Sequence, residues 1–137
     1  MKSLRMRSLI IITALLCLLP MAGAVSAAEH FSVKEYEEFH DLLEPLQHEA
    51  LPNKDWQRIR SNAAEFVKRG KAIVKVGVPA GTAKTNVAKF RFELKKFRNA
   101  LNKFSQDAKG SDDTKLEASF GAVHDSFEML AGMLPRK

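Results

Sequence analysis

The chain has 137 residues, 28% of them charged and 8% aromatic, with one cysteine and a formal net charge of +6. That length holds one ordinary domain rather than two, and a lone cysteine excludes an intramolecular disulfide framework, so a packed core has to hold the fold together. Lys2, Arg5 and Arg7 carry half of the basic excess, and without them the formal charge falls from +6 to +3.

Those three cations open an export signal. The stretch from Leu9 to Leu19 is almost wholly apolar, and Ala24-Val25-Ser26-Ala27-Ala28 supplies small residues for a signal peptidase. The order predicts a signal peptide over residues 1–27 and a mature domain over 28–137, delivered to the periplasm or secreted. The apolar stretch is shorter than the roughly 20 residues that cross a bilayer, and Pro20 and Gly23 interrupt its continuation. No transmembrane anchor is therefore expected in the mature protein. Leu16, before Cys17, is too large for the small residue that lipoprotein processing requires. A nucleic-acid partner is disfavoured by the destination and by the small remaining charge.

Four helices are expected, in chain order. Ser32 with Glu35 three residues later predicts a capping box at the start of helix one, whose apolar face runs Tyr36, Phe39, Leu43, Leu46 and Ala50. Pro45 within that run lacks an N–H and is expected to kink or break the helix. Leu51-Pro52-Asn53 turns the chain, with Asn53 the expected N-cap of helix two. The face of helix two is Trp56, Ile59, Ala63, Phe66, Val67, Ile73 and Val74, ended by Gly77, Pro79 and Gly81. Val87, Phe90, Leu94, Phe97, Leu101 and Phe104 alternate spacings of three and four, which defines helix three, and Gly110 stops it. Helix four is expected after Ser111-Asp112-Asp113, whose acidic and hydroxyl groups suit the positive end of a helix. It presents Leu116, Phe120, Val123, Phe127, Leu130 and Leu134 until Pro135. Ala72 to Val78 is β-branched, but a lone strand has nothing to pair with, so it reads as the end of helix two. Short connections between amphipathic helices favour antiparallel neighbours, which predicts an all-α, up-down-up-down four-helix bundle.

Motifs for catalysis are absent. The sequence contains no CxxCH, glycine-rich phosphate loop, HExxH or cysteine nucleophile in the mature part, and its serines sit at helix starts or on helix faces rather than on a nucleophile elbow. The reading is a non-enzymatic protein.

The histidines carry the leading functional expectation. At 100° per residue His40 falls within roughly 40° of Tyr36, on the inner part of helix one. His48 lies eight positions later, with Glu44 between them. On helix four His124 flanks the apolar stripe, with Glu128 one turn later and Glu117 two turns earlier. Helices one and four are neighbours in an up-down bundle, so these two edges are expected to meet. Imidazole and carboxylate donors suit zinc, copper, nickel or iron, and bundles build such sites from facing helices. His40, His48 and His124 are the expected ligands, completed or oriented by Glu44 or Glu128. A second candidate lies at the mature terminus. Cleavage after Ala27 leaves Ala28-Glu29-His30, whose free amine, two amides and imidazole can wrap copper(II) or nickel(II) in tetragonal nitrogen coordination.

The run Phe39-His40-Asp41-Leu42-Leu43-Glu44-Pro45-Leu46-Gln47-His48-Glu49-Ala50-Leu51-Pro52-Asn53-Lys54-Asp55 resembles the first-helix segment of a group of exported bacterial helical-bundle proteins. Val123-His124-Asp125-Ser126-Phe127 resembles their last helix, and is similar also to the last helix of the cytochrome c prime and cytochrome b562 bundles. The resemblance implies a bundle with a histidine-centred site. It does not imply haem: no cysteine pair precedes His124 for thioether attachment, and helix one has no methionine to act as a second axial ligand.

These residues support two classes of function. One is a periplasmic metal-binding or metal-handling protein. The alternative is a non-catalytic interaction or stress-adaptor protein, whose basic helix-three face of Lys89, Arg91, Lys95, Lys96, Arg98 and Lys103 meets an acidic protein or anionic lipid.

Overall fold

The computed structural model describes residues 31–135. The export signal over 1–27 and the Ala28-Glu29-His30 motif lie outside the described residues. Helix α1 is Lys34–Pro45, continued by a π-helical stretch over Leu46–Ala50; α2 is Trp56–Val76; a single 3₁₀ turn at Lys84–Asn86 leads into α3, Val87–Asp107; α4 is Asp113–Ala131. The described residues contain no strand, and the β-branched run near Val74 is the end of α2.

Several helix ends differ from the sequence expectation, each for a traceable reason. The Ser32–Glu35 capping box does not form. Val33 is the N-cap of α1, in extended backbone, and its carbonyl accepts from the Tyr36 and Glu37 N–H groups. The side chain that reaches back is Glu37, whose carboxylate accepts from the Phe31 N–H at 2.8 Å. Phe31 and Val33 are packed against the core, and that packing, rather than local capping, sets the entry of the chain.

At its far end α1 does not stop at Pro45. The proline has no N–H to continue the ladder, and the chain widens into π geometry, closed by the Leu51 N–H on the Leu46 carbonyl at 2.9 Å. The extra turn buries Leu46 and Ala50 and carries the chain further before it reverses. The N-cap of α2 is consequently Asp55, which accepts from the Arg58 N–H at 3.0 Å, while Asn53 donates to the Glu49 carbonyl. Lys54, in the reversal, holds a left-handed φ of 54°.

The end of α2 and the start of α4 agree with expectation, whereas α4 stops at Ala131, short of Pro135. Gly77 closes α2 with φ 71°, a conformation that a Cβ would strain. Asp112 caps α4 by accepting from the Lys115 N–H at 3.0 Å. The apolar stripe of α4 outlasts the helix, and Leu134 is half-buried in the turn after Ala131.

The core is aromatic. Phe39 lies 4.7 Å from Phe66, 5.0 Å from Phe127 and 5.5 Å from Phe97, centroid to centroid, joining all four helices at one level. Phe66, Phe104 and Phe120 form a second cluster with centroids 5.1 to 5.8 Å apart. The rings meet tilted or edge-on, the arrangements their quadrupoles favour. Polar ties fix the periphery: Arg60 reaches the Gly110 carbonyl and Asp113, and Arg69 donates to the Glu38 carbonyl. Between α2 and α3, Gly70 faces Leu101, and a Cβ built on Gly70 would stand 2.6 Å from both Leu101 Cδ atoms.

Candidate functional site

The structure places the expected metal ligands apart. His40 is half-buried, its ring stacked on Phe127 at 6.1 Å and edge-on to Phe31 at 5.3 Å. His124, one turn before Phe127, has a side chain 27% exposed and its Nδ1 lies 3.1 Å from Asp125 Oδ1. The expectation that His40 and His124 flank the core is met. His48 is exposed on the π-helical stretch, and eight residues at 1.5 Å each set it roughly 12 Å along the axis from His40. Glu44, Glu117 and Glu128 are exposed. Among the described residues, no group of three or more histidine, cysteine, aspartate or glutamate side chains is arranged to hold a metal ion. The structure thus brings His40 and His124 to the neighbourhood of Phe127 and does not gather His40, His48 and His124 into one donor set.

The basic face of α3 is differentiated by its neighbours. Lys103 is held by Asp107 at 2.6 Å, and that hydrogen bond keeps the Asp107 carboxyl below the usual carboxylate range. Lys96 lies 3.1 Å from Glu93, whose side chain is only 7% exposed, and also sits 5.7 Å above the Phe92 ring. Lys89, Arg91, Lys95 and Arg98 are exposed and have no carboxylate partner among the described residues. Arg91, Lys95 and Arg98 converge, with Val74 and Leu94, on a shallow groove of ≈ 180 Å³ between α2 and α3.

Charge along this part of the chain is one-sided. From Lys71 to Arg98 the only acid is Glu93, and it is buried, so no carboxylate from that stretch reaches the surface to neutralise the groove. Beside it Phe92 is 62% exposed, the most exposed large apolar side chain among the described residues.

The cations of this face are readable in the sequence, but its apolar parts are not. Leu94 and Val74 belong by spacing to the stripes of α3 and α2, whereas in the structure both are half-buried and floor the groove. Phe92 falls between Phe90 and Leu94 and off their stripe, which is the signal that it points outward. Glu93 carries no such signal, because an acidic residue between a phenylalanine and a leucine reads as solvated unless the neighbouring helix is known to cover it.

The arrangement sets unpaired cationic groups beside an apolar floor and an exposed ring. Comparison with protein-family models, curated proteins and solved structures finds no match for this chain.

Proposed function

We propose that this is a non-catalytic binding protein whose working surface is the outer face of α3, and that it takes an acidic partner in an extracytoplasmic compartment once residues 1–27 are removed. The observation that carries the reading is the unneutralised set Lys89, Arg91, Lys95 and Arg98, three of which border one groove with no acidic residue. A solvated basic face ordinarily interleaves carboxylates, as the pairs Lys34–Glu38 and Lys68–Glu65 do elsewhere on this surface. Leaving cations unpaired on one face raises the local concentration of anions there and steers their approach.

The ring contacts support an antiparallel α3 and α4, one step of the up-down-up-down order. Phe97 and Phe127 both meet Phe39, whereas Phe104 meets Phe120. Helix α3 therefore descends through the levels that α4 climbs. Metal handling at His40 and His124 would need further donors beyond these two, so the basic face is the better-supported site.

Retention on an immobilised poly-glutamate column tests the reading. The protein is expected to bind at low salt and elute as screening shortens to about 10 Å near 0.1 M. Replacing Lys89, Arg91, Lys95 and Arg98 with glutamine is expected to abolish retention. The same change in charge at Lys34, Lys54, Lys68 and Lys109 is expected to leave most of it. Equal loss from both sets would mean that net charge alone is being read, and no retention at low salt would overturn the proposal.

A further inference from the structure

The composition of the α3 face narrows the partner beyond its charge. On the proposed anion-binding reading, we infer that the partner is an anionic phospholipid surface, docked by Phe92 as an interfacial anchor and by headgroup phosphates at the groove of Arg91, Lys95 and Arg98. An acidic peptide needs only cations, but this face pairs its cations with apolar surface at two places. Phe92 stands 62% exposed, carrying Lys96 above its ring at 5.7 Å. The groove is floored by Val74 and Leu94 and rimmed by three cations. Cation beside hydrocarbon is the complement of an anionic amphiphile, in which phosphate and acyl chain are adjacent.

Geometry agrees with docking on a surface. Residues 88, 92 and 96 succeed one another along the exposed ridge of α3, with Lys89 and Lys95 flanking Phe92 on opposite sides at 100° per residue. Pressing that ridge against a bilayer places the ring at headgroup depth, where aromatic side chains are favoured, and lets the long cationic stems reach phosphates on both sides. No helix among the described residues is long and apolar enough to cross a membrane, so the contact is one of lying on the surface, driven by a single ring and a cluster of charges.

The test uses the chain with residues 1–27 removed, which retains all four helices, and measures co-sedimentation with vesicles. Pure phosphatidylcholine vesicles are expected to leave it in the supernatant. Vesicles containing one-third phosphatidylglycerol are expected to carry it down, with each neutralised cation among Arg91, Lys95 and Arg98 lowering the partition about fivefold. Phe92→Ala is expected to lower partition about tenfold while leaving poly-glutamate retention unchanged. Phe92→Trp should restore partition and show a blue-shifted emission on binding. Retention on poly-glutamate without vesicle binding would overturn the lipid inference and leave the anion-binding face standing, whereas loss of both would remove the two together. Displacement from vesicles by millimolar glycerol phosphate would mean a site for a soluble headgroup, and an unaltered partition for Phe92→Ala would mean electrostatic adsorption alone; either result refutes the docking inferred here.

Discussion

The same substitution, glycine to alanine in mid-helix, is expected to have opposite signs at two positions. In an unobstructed helix interior alanine is favoured over glycine by about 1 kcal/mol. At Gly121 on α4 nothing lies within 4 Å of the added Cβ, so Gly121→Ala should realise most of that gain. At Gly70 the Cβ would stand 2.6 Å from Leu101 Cδ1 and Cδ2 and 3.2 Å from Cγ, against an ordinary carbon contact of about 3.5–4.0 Å. Leu101 is 1% exposed and cannot swing into solvent. Either it changes rotamer or α2 and α3 move apart, and overpacking of this kind costs about 1–3 kcal/mol. Less the propensity gain of about 1 kcal/mol, the middle of that range leaves Gly70→Ala destabilised by about 1 kcal/mol, and at about 4–8 °C per kcal/mol for a domain of this size the melting temperature should fall by roughly 4–8 °C. Gly121→Ala should raise it by a few degrees. Thermal unfolding followed by circular dichroism reads both. In a Leu101→Ala background the obstruction is gone, so Gly70→Ala should become neutral or stabilising, a coupling of about 1 kcal/mol or more. A Gly70→Ala protein as stable as the parent, or a double-mutant cycle without coupling, would refute the close crossing of α2 and α3.

Tyr36, the single tyrosine, is fully buried with no hydrogen-bond partner for its hydroxyl, and burial raises its pKa above the ordinary 10.0. The folded state therefore holds the neutral phenol, its stability intact below pH 10 and lost as pH rises further. Phenolate absorbance should appear only together with unfolding, and reversible ionisation near pH 10 with the helix signal unchanged would contradict this. Tyr36→Phe, which removes an unsatisfied buried hydroxyl, should stabilise by about 1 kcal/mol in urea titration. At the acid end, hydrogen bonds from Arg69 and Lys68 to Glu65, from Lys103 to Asp107 and from Lys115 to Asp112 lower all three carboxyl pKa values. Their contribution is present above the unfolded values of 4.5 and 3.8 and is lost as pH falls through the depressed folded ones. The melting temperature should accordingly fall below pH 4.5, less so in high salt, and Asp107→Asn should reduce that dependence. With no three donors gathered among the described residues, zinc should leave the melting temperature of tag-free protein unchanged. A rise that His124→Ala abolishes would restore the histidine site on α1 and α4.

What is local in this fold is legible in the sequence. The stripe Phe90, Phe97, Leu101, Phe104 and the stripe Leu116, Phe120, Val123, Phe127, Leu130 are buried as their spacing requires, because periodicity alone determines which side of a helix is apolar. The Asp112 cap and the Gly77 stop are equally local, each being a side chain or a backbone conformation acting within one turn. Depth, rotation and neighbour are not local. Periodicity puts His40 and His124 at the core edge, but it does not foresee the π-helical stretch after Pro45, which carries His48, lengthens the first helix and displaces the Asn53 cap to Asp55. The Ser32 box gives way to Glu37 because Phe31 packs on Phe127 and His40, residues that only the fold brings to it. Gly70 reads as a weak point in an isolated helix and is a point of close approach once Leu101 lies across it. Glu93 and Phe92 are adjacent in sequence, yet one is buried and the other exposed. A helix sets the 100° between two such side chains by itself, but only the packing of its neighbours decides which of the two directions is interior.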